Sequence, residues 1–269
     1  MSYAFPLTIQ LVLPEGYRAD SDFCRVLDTL RQYGFSGVEL NSVHPDRIDP
    51  SDLKGFLAQF ELKMTMFATG LTAKSWGLSL STPDEEARER SAKRALDFID
   101  FAHSMEAGMI VGFFKGGPDP DTVSACRNFS DSLMRIAPAA QEKRVAVLVE
   151  ATNRYESAVA NSLDDTHEII APFADNPYVK ILPDTFHMNI EERDQFEALR
   201  KHFSLFDWIH ISDNNRYFPG LGAIRFHELF AFLEKIGYRG GLAIEGKIEK
   251  DLVRDIQATM RYLKPLLEA

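Results

Sequence analysis

Eight short apolar runs, each followed by a longer stretch with helical periodicity, succeed one another along the chain. The runs fall at 7–13, 37–40, 63–67, 109–113, 145–150, 179–183, 208–211 and 242–245. Several are nearly unbroken Val, Ile, Leu and Met, the composition of parallel strands covered on both faces. Helices are predicted over 20–32, 50–60, 85–104, 121–143, 162–173, 190–202, 226–236 and 250–267. The clearest is 85–104, where Ala92, Ala95, Leu96, Ile99, Ala102 and His103 share one side and Glu86, Arg90, Lys93 and Asp97 face away. Such alternation either closes into a (β/α)8 barrel or opens into a doubly wound sheet. A nucleotide-binding open sheet carries a glycine-rich turn after an early strand, and neither LVLPEGYRAD nor VELNSVHPDR has one. The expected fold is α/β, a single (β/α)8 TIM barrel, with residues 1–269 forming one domain.

Composition narrows the partners. A formal charge of −10 argues against nucleic acid, because binding phosphates requires clustered Lys and Arg. The two cysteines, Cys24 and Cys126, lie in amphipathic helical patterns and are expected to be buried free thiols, in keeping with a reducing, cytoplasmic location. The N-terminal MSYAFPLTIQLVLPEG lacks a basic stretch with a cleavage site and is too short in apolar residues to span a bilayer. No membrane association is expected.

Polar residues interrupt the later strands at their carboxyl ends. Glu150 closes VAVLVE, Asp184 follows ILP, His210 lies in DWIHIS and Glu245 closes LAIE. Burying a carboxylate or imidazole there is costly unless something pairs with it. In a barrel these ends converge on the face where active sites form. Three carboxylates and one imidazole would repel one another without a cation among them. One divalent ion per chain is therefore expected, held by Glu150, Asp184, His210 and Glu245. Oxygen ligands with a single histidine suit Mn²⁺ best, with Mg²⁺, Co²⁺ or Zn²⁺ as the other candidates. The bland alternative makes each acid a helix cap or an ion-pair partner.

The stretches VEATNRYE (149–156), DTFHMNIEE (184–192) and HISDNNR (210–216), followed by PGLG (219–222), resemble the ketose 3-epimerases. This family, typified by D-tagatose and D-psicose 3-epimerases, belongs to the xylose isomerase-like TIM barrels. AIEG (243–246), LSLSTPDEEARERSAKRALDFIDFA (78–102) and the run 108–113 are weaker echoes. The resemblance implies C3 epimerisation of a ketose through a cis-enediolate, with Glu150 and Glu245 as the acid–base pair. It implies substrate contacts from His187, Arg216 and Glu156, and a homodimer or homotetramer. Asn189 is expected to cap a helix beginning at Ile190, with Glu192 in the reciprocal position.

The chain also departs from the family pattern. SDNNRYFPG places Tyr217 and Phe218 where a small residue is common, and strand eight ends in IEGKI. Lys115 and Lys247 fall in loops expected to face the site, where they would bind a substrate carboxylate or phosphate, although a solvated loop lysine is the commoner role. Trp76 is a further candidate wall for a sugar. His44, His103, His167, His202 and His227 are read as surface or packing residues. The competing activities on this barrel are a hydroxypyruvate-type aldose–ketose isomerase or a dehydratase acting on a sugar acid or phosphosugar. A DNA repair nuclease of the endonuclease IV type would need histidines ending strands three and four, and MFATG and VGFFKG have none. A non-catalytic sugar-binding barrel would not need both Glu150 and Glu245.

Overall fold

In the computed structural model, which describes residues 3–268, the apolar runs form eight parallel strands. They are β1 (Leu7–Val12), β2 (Gly37–Asn41), β3 (Met64–Ala68), β4 (Gly108–Val111), β5 (Val147–Glu150), β6 (Val179–Leu182), β7 (Trp208–Ile211) and β8 (Gly241–Ile244). Their order is β6-β5-β4-β3-β2-β1-β8-β7, each paired in parallel with its neighbour. The two ends meet where Asp184 bridges to His210, and the His210 amide donates to the Pro183 carbonyl at 2.9 Å. The ring therefore closes at two of the residues singled out as metal ligands.

Among the described residues, ten α-helices surround the strands: α1 (Ser21–Gln32), α2 (Pro50–Ala58), α3 (Gly70–Trp76), α4 (Glu85–Ser104), α5 (Thr122–Lys143), α6 (Leu163–Ile170), α7 (Thr185–Glu191), α8 (Gln195–Lys201), α9 (Phe226–Lys235) and α10 (Leu252–Leu267). Seven of them begin at an aspartate whose carboxylate takes up first-turn amides, as Asp20 does for α1 and Asp84 for α4. The larger apolar core lies between helices and strands. A smaller one, with Met66, Ala68, Ile110, Leu148 and Leu182, fills the barrel interior.

Two elements depart from expectation. The helix predicted over 190–202 is two helices, because Glu192 turns extended (φ −89°, ψ 131°) and Asp194 starts α8. Asn189 is accordingly inside α7 and caps nothing. The cap of α7 is Asp184, whose Oδ1 accepts from the Phe186 amide at 2.7 Å, while Glu192 accepts from the Leu163 amide at 2.7 Å. The short α3 was not foreseen; seven residues leave too little periodicity to read, and Gly77 ends it in the left-handed conformation (φ 63°). Cys24 and Cys126 are free and only partly buried. No helix among the described residues is long and apolar enough to cross a membrane.

Candidate metal centre

Side chains alternate across a strand, so a residue two positions beyond one that faces the barrel interior faces it as well. Glu150 stands two after Leu148, Asp184 two after Leu182, His210 two after Trp208 and Glu245 two after Ala243. Their side chains thus form the next interior layer, at the carboxyl ends of the strands. One ligand atom from each of the four lies within 4.8 Å of all the others. His210 Nδ1 stands 2.8 Å from Glu245 Oε2, 3.6 Å from Glu150 Oε1 and 3.9 Å from Asp184 Oδ2.

The charges are buried: Asp184 and His210 are fully enclosed, and Glu150 is 6% exposed. Burial alone would depress the His210 pKa, but the Glu39 and Glu245 carboxylates override it and hold it well above the usual value. Burial would raise Glu245, yet Arg216 and His210 keep it far below the ordinary carboxylate range. Glu150 Oε1 is enclosed and has no hydrogen-bond partner. A buried anionic oxygen without a donor, facing two more carboxylates and an imidazole nitrogen, fits a divalent cation. Gly112 belongs to this geometry, because a Cβ there would lie 2.1 Å from Glu150 Oε2.

A cavity of 270 Å³ opens above this group, and Glu150, Glu245, His187, Arg216 and Glu156 all line it. His187 Nδ1 accepts from the Asn153 amide at 3.2 Å, so the ring proton belongs on Nε2, 3.7 Å from Glu150 Oε1. Asn153 also donates to Glu156 Oε1 at 3.0 Å and so ties the two side chains together. Arg216 reaches Asp184 Oδ2 at 2.5 Å and Glu245 Oε2 at 2.9 Å. Its backbone is left-handed (φ 66°), which a non-glycine residue holds only when its surroundings impose it. Asp213 imposes it here: its carboxylate accepts from the amides of Asn214, Gly220 and Ile224 and fixes the loop.

The remaining candidates lie elsewhere. Lys115 does not line the cavity. It is fully buried beneath it, where Nζ donates to the carbonyls of Glu150 and Ala160 and burial pushes its pKa down to about 7 against the pull of Glu150 and Glu156. A lysine so held braces the end of β5 and is out of reach of a substrate anion. Trp76 packs on Phe98 with Arg94 over its ring, also away from the cavity. Lys247 is exposed at the edge of an adjoining pocket. Phe218 is buried and lines that pocket, not the cavity above the four ligands.

The residue that sequence reasoning passed over is Glu39, in the middle of β2 and fully buried. Oε2 stands 3.0 Å from His210 Nε2, and Oε1 accepts from Trp208 Nε1 at 2.6 Å. A carboxylate behind a ligating histidine fixes the ring and raises its basicity. Its signal was a lone acid inside the apolar run GVEL. Glutamine at this position has one acceptor oxygen for two donors, so Glu39→Gln is expected to weaken metal binding by about 10–100-fold. Titration of the metal-free protein by calorimetry measures this directly, and an unchanged dissociation constant would reduce Glu39 to a packing residue.

A parallel eight-stranded barrel with an acid–histidine cluster at the carboxyl ends of its strands defines a class of metal-binding (β/α)8 enzymes. A sequence model of the xylose isomerase-like TIM barrel family matches residues 27–266, and the chain belongs to that family. Among curated proteins, ketose 3-epimerase of Arthrobacter globiformis is 28% identical over 80% of this chain and 74% of its own length. 3-Dehydro-D-guloside 4-epimerase of Escherichia coli (strain K12) is 38% identical over 45% of this chain, an alignment that spans 46% of that protein. The solved structure of an L-ribulose 3-epimerase superposes with a TM-score of 0.84 at 21% identity, covering 98% of this chain and 95% of the other, and so shares the fold.

Proposed function

We propose that the protein is a divalent-metal-dependent epimerase of keto sugars, inverting C3 of a ketose. The observation that carries this reading is the placement of Glu150 and Glu245, on β5 and β8, around one sugar-sized cavity that His187 and Arg216 also line. The C–H beside a ketone is weakly acidic, and its removal requires that the charge passing to oxygen be stabilised. A divalent ion held by Glu150, Asp184, His210 and Glu245, for which Mn²⁺ is our expectation, would polarise the substrate oxygens. One glutamate takes the C3 proton from one face and the other delivers a proton to the opposite face, so the carbon inverts with no net change in protons. Arg216 and the Nε2–H of His187 donate to the oxygen that becomes negative in the enediolate. Glu156, held by Asn153, accepts from a sugar hydroxyl. A cytoplasmic location is inferred from the sequence, and a homodimer or homotetramer only from the resemblance to ketose 3-epimerases.

A second reading has specific support. The E. coli relative is named as a 4-epimerase of a 3-dehydro sugar, and C4 beside a C3 ketone is chemically equivalent to C3 beside a C2 ketone. The same two glutamates would serve both. The test is NMR in D2O with Mn²⁺ and fructose, psicose, tagatose and sorbose. Deuterium at C3 with the epimer accumulating is expected. Deuterium at C1 with an aldose forming would make the enzyme an isomerase, and no exchange with any keto sugar would sink the reading.

A further inference from the structure

The cavity above the four ligands has two unlike halves. Its carboxylates, Glu150, Glu156 and Glu245, stand at or just beyond the ends of β5 and β8, in the half of the ring that gathers the metal ligands. The half built by the ends of β1, β2 and β3 contributes no acid to the lining. Thr69, just past β3, spends its hydroxyl on the Ile110 carbonyl at 2.6 Å, and Lys74 is exposed at the rim. Two half-buried amides remain there, Gln10 on β1 and Asn41 on β2, and the proposed mechanism makes no use of either.

Their orientation is set from one end. Asn41 Oδ1 accepts from the Leu71 amide, in the first turn of α3, at 3.1 Å. Its Nδ2 therefore faces the other way and donates to Gln10 Oε1 at 2.8 Å. This in turn places Gln10 Nε2 on the far side, 3.4 Å from Glu39 Oε2. A backbone N–H only donates, so turning either amide over would set donor against donor and acceptor against acceptor. Each amide nitrogen carries two hydrogens and commits one along this chain, which leaves a second for the cavity that both residues line. The last link is long, and Glu39 already has Trp208 and His210 as close partners, so Gln10 adds little to the support of the metal ligand.

In the proposed reaction C2 and C3 lie against Glu150, Glu245, His187 and Arg216, so the C4–C6 end of the sugar meets the amide-bearing half. We propose that Gln10 and Asn41 are specificity-determining residues that donate hydrogen bonds to the oxygens of the keto sugar beyond C3. The proposal rests on the epimerase reading and specifies how the site selects among keto sugars.

The test sets each variant against sugars that lack one hydroxyl. Values of kcat and KM are to be compared for the best ketose among fructose, psicose, tagatose and sorbose and for its 4-, 5- and 6-deoxy analogues, using the wild-type protein, Gln10→Met and Asn41→Leu. In the wild type, at least one analogue is expected to lose about tenfold or more in kcat/KM, because the missing hydroxyl strands a donor in the site. Each variant is expected to lose a similar factor on the parent ketose, mainly through KM, and to discriminate correspondingly less against one of the analogues, since that partner is already gone. The dissociation constant for Mn²⁺, read by calorimetry on the metal-free protein, should be unchanged in Gln10→Met. Wild-type protein that turns over every analogue as well as the parent would overturn the proposal and leave the epimerase reading intact. Wild-type discrimination retained in both variants would do the same, by placing the donors elsewhere. An equal loss on every sugar together with weaker Mn²⁺ binding would reduce the amides to a brace for Glu39. Proton exchange with no keto sugar in the panel would overturn both readings together.

Discussion

Glu150→Gln and Glu245→Gln are each expected to lower epimerisation by about 10²–10⁴-fold, the range over which general acid–base groups contribute. Glutamine keeps the volume and one oxygen but accepts no proton, so inversion loses one of its two faces. The two variants are not expected to fail identically. A chain left with one working carboxylate can still exchange the C3 proton of the epimer that presents it to that side, without releasing the other epimer. Stability should change little at Glu150, whose Oε1 has no partner to lose. Glu245 is held by Arg216 and His210, and its replacement leaves the Arg216 charge partly uncompensated. Both residues are also candidate metal ligands, so metal content must be measured beside turnover. Full turnover in either variant would exclude the two-carboxylate mechanism.

How much of this site could be read from the sequence depended on where each residue stands relative to its strand. Glu150, Asp184, His210 and Glu245 were legible because each breaks an apolar run at its carboxyl end, where a barrel gathers its functional groups. Lys115 was not. It follows a strand end and reads as a loop residue facing the site, but the turn Phe113–Lys115 carries its side chain back beneath β5 to two backbone carbonyls. That burial depends on the path of 151–160, which no local pattern encodes. Glu39 left a local trace, an acid in mid-strand, but its partners His210 and Trp208 are about 170 residues away along the chain and opposite only once the ring has closed. The joined helix expected over 190–202 failed for a reason that was visible. Asp194 followed by Glu197 is a helix start, and an aspartate in the middle of a helix competes with it through its own backbone amides.

Stripping the metal is expected to abolish turnover and to lower stability while preserving the barrel. Without a cation, the carboxylates of Glu150, Asp184 and Glu245 share one small buried volume, compensated by Arg216 and by a proton on His210. A divalent ion that binds only the folded chain adds about 2.7 kcal/mol at one hundred times its dissociation constant. For a chain of this size that corresponds to a rise in Tm of roughly 5–10 °C. Thermal denaturation after exhaustive chelation, with and without added Mn²⁺, measures the shift, and elemental analysis counts the ions. One ion per chain is expected, against the three of an endonuclease IV-type site. His210→Ala removes the ring on which the three carboxylates converge, and should erase the Mn²⁺-dependent shift even if the metal-free Tm also falls. A shift that persists in this variant would locate the ion elsewhere. Because binding would displace the His210 proton, affinity should fall as the pH is lowered, and a shift that grows toward acid pH would contradict ligation by this imidazole.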